Sequence, residues 1–180
     1  MNNEKKYLKQ FKDIIREVRI THDYHGMNEN NEPIYEHKTP YPTIKFRGTI
    51  KLHGSNGGVL KHSDGTYSYQ CRERSSLDSG ESALSIHKDN AGFMATMLLK
   101  NLDSLFDGIK FNDYCALYGE WAGGNIQKGV AIAELPKSFV LFAIQIDDKF
   151  EDFSNYAHIK SEEQRIFNIL DFETFEIEVD

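Results

Sequence analysis

Cysteine is nearly absent from this chain: Cys71 and Cys115 are the only two thiols in 180 residues. That makes neither a disulfide framework nor a CxxC metal knuckle, so a reducing, cytoplasmic setting is expected. Long apolar runs are missing too, and Met1-Asn2-Asn3-Glu4-Lys5-Lys6 leads into no signal-peptide stretch. A membrane span, and a membrane partner, are therefore not expected. Cations are in deficit, with a formal charge of −7. A protein that binds nucleic acid mainly by neutralising phosphates is usually basic, so composition argues against a plain polyanion-binding module. It leaves room for an enzyme with a local basic site. Proline is scarce as well, and three of the four prolines fall within residues 21–42.

What is present is patterned. Leu8, Phe11, Ile14, Ile15 and Val18 recur at helical spacing, which predicts an amphipathic helix over residues 4–19. Residues 21–42, rich in asparagine and carrying His22, His25 and His37, read as a loop whose histidines do not converge on a metal. From Thr43 the texture turns to strands: Ile44, Phe46 and the run Thr49 to Leu52, broken at Gly54, then Val59 to His62. A Ser63-Asp64-Gly65-Thr66 turn leads into Tyr67 to Arg72, a hairpin signal. Residues 88–107 read as a helix with one apolar face, and strands follow at Tyr114 to Trp121 and Phe139 to Ile146. Ser161-Glu162-Glu163-Gln164 has the form of a capping box opening a short helix through Ile166 and Leu170, and Thr174 to Val179 alternate like a strand. The expected class is α+β, with mostly antiparallel sheets and flanking helices. Residues 1–42 form an N-terminal helix and loop, and residues 43–180 the main domain.

Lys51 stands at the end of an apolar run and is followed at once by His53, Gly54, Asn56, Gly57 and Gly58. Glycines there let a ligand approach the backbone. A lysine is nucleophilic only when neutral, so it needs desolvation or a neighbouring cation. The plainer reading, an exposed strand lysine before a turn, stands beside it.

Three further segments add weight to the first reading. Lys51-Leu52-His53-Gly54 resembles motif I of the covalent nucleotidyltransferases, and the continuation Ser55-Asn56 resembles the phage-type, nick-sealing RNA ligases. Cys71-Arg72-Glu73-Arg74-Ser75 is similar to motif Ia, with Arg74 the better match and Arg72 the other candidate. The run from Tyr118-Gly119-Glu120-Trp121 through Val130 resembles motif III and its trailing loop, and Val140-Leu141-Phe142-Ala143-Ile144 resembles motif IIIa.

The resemblance implies a partial adenylyltransferase domain of the ATP-grasp-like ligase type. It implies that Lys51 attacks the α-phosphorus of ATP and carries AMP as a phosphoramide, with RNA ends or a nicked RNA duplex as the partner to be sealed. Magnesium, with manganese as the alternative, would be the metal, and a phage gene would place the protein in the host cytoplasm. Glu120 would bind the ribose hydroxyls or help hold the metal, and Phe142 would stack on adenine or simply fill the core. Arg74 would contact phosphate or the polynucleotide end. Asn56 bonds a ribose or phosphate oxygen or serves a turn, His53 orients phosphate or packs, and the carbonyl of Ile50 accepts from the adenine amino group. Asn125 replaces a glycine common in relatives, a change that positive φ tolerates in asparagine.

One departure is larger. No Glu-Gly dipeptide of motif IV and no Lys-x-Lys pair of motif V occurs, and after Phe142 only Lys149 and Lys160 remain. The remaining strands, with motifs IV and V, are expected either from another polypeptide or not at all, the chain then being a truncated or decayed gene product or a fragment. The alternative is a non-catalytic fragment that binds nucleotide or RNA.

Overall fold

In the computed structural model, residues 23–36, 43–71, 74–75 and 89–179 are described. The helix expected over residues 4–19, together with His22, His37 and Arg72, lies outside them. The chain divides into two compact units, Met1–Gly48 with Phe175–Asp180, and Thr49–Thr174.

In the first unit, β1 (Asp23–Met27) and β2 (Pro33–Glu36) form an antiparallel hairpin where a loop was expected. The asparagines build its turn: the Asn28 carboxamide oxygen accepts from the amides of Asn30 and Glu32, both at 2.9 Å, and Asn31 takes φ 63°. A second two-stranded sheet joins β3 (Ile44–Thr49) to β11 (Thr174–Val179), the latter as expected from its alternation. The Phe175 ring occupies the place where a side chain at Gly48 would stand, and Lys45 pairs with Glu178 at 2.7 Å.

The second unit is built on one sheet in the order β10-β8-β7-β4-β5-β6, with a short β9 beside β8. Its strands are β4 (Gly54–His62), β5 (Tyr67–Cys71), β6 (Arg74–Ser75), β7 (Tyr114–Ala122), β8 (Ser138–Ile146), β9 (Lys149–Phe150) and β10 (Ile166–Asn168). All these neighbours pair antiparallel except β10, which runs parallel to β8. The turn between β4 and β5 closes as read, with the Thr66 amide donating to the Asp64 carboxylate at 2.8 Å and Gly65 at φ 83°.

One face of the sheet is the core. Val59, Tyr69, Cys71, Cys115, Leu117, Trp121, Phe139, Leu141, Ile144 and Ile166 cluster there. The single short helix α1 (Phe93–Met97) adds Phe93, Met94 and Met97. The Phe93 ring meets Trp121 and Phe139 edge-on at centroid distances of 5.8 and 4.9 Å. Gly57 opposes it, since a Cβ there would stand 2.7 Å from the ring.

The α+β expectation with flanking helices does not hold. Strands take 43% and helical turns 17% of the described residues, with one α-helix among them. Two expected helices account for the difference. Residues 88–107 split because Ala91 and Gly92 adopt φ 58° and 74°, so the helix begins only at Phe93, capped by the Asp89 carboxylate on the amides of Met94 and Ala95. The apolar residues beyond Met97 reach the core from a separate 3₁₀ turn, Asp103–Phe106. The capping-box segment makes a tight turn instead. Arg165 takes φ 57°, Ser161 and Ile166 exchange backbone hydrogen bonds at 2.8 and 2.9 Å, and Ile166 enters the sheet opposite Phe139. Burial of Ile166 and Asn168 outweighs the local helix signal.

Candidate active site

Strand pairing assembles the expected site residues. Asn56 on β4 lies directly opposite Glu120 on β7, and Gly58 opposite Tyr118. Because side chains alternate along a strand, all four belong to the face away from the core. Asn56 is exposed and Glu120 half-buried.

Phe142 reaches that face through an irregularity. Tyr118 pairs with Ala143 but Gly119 with Leu141, so Phe142 is an extra residue on β8. Leu141 and Ile144 both point into the core, which sends Phe142 and Ala143 together to the opposite face. Regular alternation could not put both Leu141 and Ile144 inside. The bulge thereby separates the half-buried Phe142 ring from the core aromatics.

Gly119 makes the crossing of β7 and β8 tight, because a Cβ there would meet the Val140 carbonyl oxygen at 2.5 Å and the Phe139 ring at 2.6 Å. After β7 the chain turns through Gly123, Gly124 and Asn125 at φ 89°, 54° and 58°, as the sequence allowed for Asn125. This loop is tied back by the amides of Gly124 and Asn125, which donate to Leu135 and Ala133 at 2.7 and 3.0 Å.

Lys51 differs in setting from its expectation. It lies not in a strand but on the connector between β3 and β4, where Lys51 and His53 are exposed and Ile50 is half-buried. Gly54, expected to break the strand, instead opens β4: its Cα packs so closely on the Trp121 carbonyl that no side chain would fit. The connector therefore enters the sheet at the end that carries Asn56 and Glu120. Arg74 reaches the same end through its backbone, in the cross-sheet row Arg74, Cys71, Gly57, Gly119.

Among the described residues no three histidine, cysteine, aspartate or glutamate side chains converge as a metal cage. Glu120, the carboxylate to which the sequence assigned a metal, stands half-buried on this face.

Sequence reasoning passed over two residues of this face. Tyr118 donates its hydroxyl to the Gln145 carboxamide oxygen at 3.0 Å, and burial pushes its phenol up to about 12. Gln145 is itself 1% exposed. Tyr118 was legible from its spacing of two before Glu120, but Gln145 was not, because the bulge that aligns it is invisible in the sequence.

The sequence model of the family described as RNA ligase matches residues 44–175. No curated protein matches the chain.

Proposed function

Since the chain belongs to the RNA ligase family, we propose that it is an ATP-dependent RNA-sealing enzyme working through a lysyl–AMP intermediate on Lys51. The observation that carries this reading is the register of β4 on β7, with Asn56 facing Glu120, and Phe142 turned to the same face by the β8 bulge. Lys51 attacks the α-phosphorus, the phosphoanhydride bond breaks, pyrophosphate leaves, and an N–P bond holds AMP. The adenylate then passes to an RNA 5′-phosphate, and a 3′-hydroxyl displaces AMP to close the strand. Such steps depend on positioning and charge neutralisation more than on protein-derived bonds.

Glu120 bonds the ribose hydroxyls or shares the metal, Phe142 stacks on the base, and Asn56 and His53 face ribose or phosphate oxygens. The Ile50 carbonyl receives the adenine amino group, and Arg74 and Arg72 meet phosphate or the polynucleotide end. Magnesium, with manganese as the alternative, would draw charge from the triphosphate when bound with Glu120. Lys149 and Lys160 are already paired with Glu151 and Asp171 at 3.0 and 2.9 Å. In this reading the further cations and acid that the family's motifs IV and V supply come from outside residues 1–180.

The test is intact mass after incubation with ATP and magnesium, in the presence of a polypeptide carrying motifs IV and V. An AMP adduct is expected on the wild type and none on Lys51→Ala. A folded, complemented wild type that stays unmodified sinks the reading. Nucleotide or RNA binding that persists unchanged in Lys51→Ala without any adduct would favour the non-catalytic alternative.

A further inference from the structure

Lys100, Lys137 and Arg165 stand together at one end of the sheet in Thr49–Thr174, and no carboxylate among the described residues pairs with any of them. Elsewhere lysines are matched: Lys45, Lys61, Lys149 and Lys160 each hold a carboxylate within 3.0 Å. These three cations donate to main-chain oxygens instead. Lys137, just before β8, reaches the Ala91 carbonyl at 2.8 Å, its stem lying where a side chain at Gly124 would stand. Arg165, just before β10, donates from Nε to the Lys137 carbonyl at 3.1 Å. Its Nη2 donates to the Pro136 carbonyl at 3.1 Å and the Ser138 hydroxyl at 2.8 Å. Lys100, beyond α1, donates at 2.6 Å to the carbonyl of Gln164, the neighbour of Arg165. These bonds fix the three head groups and leave their charges standing.

Like charges held this close repel. Burial first, and the Arg165 guanidinium after it, keep the Lys100 ammonium below the usual lysine value of 10.5. An anion docking here relieves that repulsion, and it has access, since Lys137 is exposed and Lys100 and Arg165 are half-buried. Register sets the cluster at the strand ends where the Lys51 connector enters. The row Gly54–Ala122–Ser138 crosses that end, and Ile166 of β10 lies opposite Phe139 beyond it. From β4 to β10 is three strand spacings, about 14 Å. A polynucleotide strand covers that distance with roughly four nucleotides at a rise of about 3.4 Å.

We infer that Lys100, Lys137 and Arg165 form a docking surface for backbone phosphates of the RNA, beyond the end that meets Lys51. The inference rests on the RNA-sealing reading and adds to it a surface that holds the polynucleotide. Phosphates suit the cluster because each ammonium keeps donors after its one main-chain bond, and Arg165 keeps its Nη1 group. Contacts of this kind position a nucleic acid without reading its sequence. An acidic polypeptide would answer the charge equally. RNA is favoured by place: the cluster lies within residues 44–175, which match the RNA ligase family, and at the sheet end that Lys51 approaches.

The experiment is fluorescence anisotropy of the full chain with a labelled, nicked RNA duplex over a series of KCl concentrations, with circular dichroism to establish folding. Lys137→Gln and Lys100→Gln should each weaken binding about three- to tenfold near 0.1 M salt. Each should also reduce the slope of log affinity against log salt by about one, and the double variant by about two. Lys149→Gln removes the same charge at the opposite end of β8 and should leave affinity and slope at wild type. ATP affinity, read by calorimetry on the same variants, should not change. If one lysine variant fails to fold, the other carries the comparison. Wild-type affinity and slope in the lysine variants, or an equal loss in Lys149→Gln, overturns the inference and leaves the sealing reading intact. Polyglutamate bound as tightly as the duplex, with the same losses, overturns it in favour of an acidic partner. A wild type that takes up ATP but no duplex overturns the RNA-sealing reading with it.

Discussion

Phe142 and Asp147 act through different physics, and each has its own test. Phe142 is half-buried on the outer face, and an aromatic stacked on a base contributes about 1–3 kcal/mol. Phe142→Ala is expected to weaken ATP binding by roughly 5- to 150-fold while melting close to wild type. A core role would instead show as a large drop in melting temperature. Asp147 gathers three backbone amides: Asp113 donates at 2.8 Å, and Asn112 and Tyr114 both donate at 3.2 Å. The Asp113 amide foremost, then those of Asn112 and Tyr114, holds its carboxyl below the ordinary value of 3.8. A depressed carboxylate contributes stability above its unfolded pKa and loses it as pH falls through the folded one. Asp147→Asn keeps a residue that tolerates φ 52° but removes the charge. It should melt below wild type near neutrality, and the gap should close as pH drops below about 4. A gap that is flat with pH would assign the effect to geometry alone.

Glycine and asparagine fix how the elements meet. A methyl at Gly119 runs into backbone, the Val140 carbonyl, whereas one at Gly58 meets only the edge of the Tyr118 ring at 3.0 Å. Overpacking against atoms that cannot move costs more than displacing a side chain. Gly119→Ala is therefore expected to lose about 1–3 kcal/mol by urea unfolding, and Gly58→Ala distinctly less. Asn168 is fully buried on β10: its Nδ2 donates to the carbonyls of Tyr156 and Ile159 at 3.0 and 3.2 Å, and its Oδ1 accepts from the Leu170 amide at 3.0 Å. Asn168→Ala strands those three groups and should cost about 3 kcal/mol or more, measured the same way. Strands β5, β7, β8 and β11 were legible because their apolar runs were bounded by turn residues. The helix expected over 88–107 is present only at Phe93–Met97, its later apolar residues reaching the core from a 3₁₀ turn. The one expected at 161–170 gives way to β10, because apolar positions that suit a helix can be buried in other ways. A local pattern cannot say which partner will bury a side chain.

At the scale of the molecule, the sheet in Thr49–Thr174 carries both the core and the candidate site on opposite faces, and the two thiols report on the core side. Cys71 and Cys115 are both buried, and burial pushes the Cys115 thiol up to about 12. A thiol reagent should modify them only as the unit unfolds, with rates that follow the urea transition; rapid labelling in native buffer would contradict the packing. The proposed chemistry rests on residue identity. Lys51, Asn56, Arg74, Glu120 and Phe142 stand in order along the chain, and the turn tolerance of Asn125 could be read from its type alone. What the sequence could not decide was the mutual placement of these residues. Asn56 faces Glu120 only because β4 adopts one register on β7, and Phe142 leaves the core only because β8 carries one extra residue against Gly119. Register and bulge are chosen by the burial of whole strands, and a shift of one residue would turn every side chain to the other face.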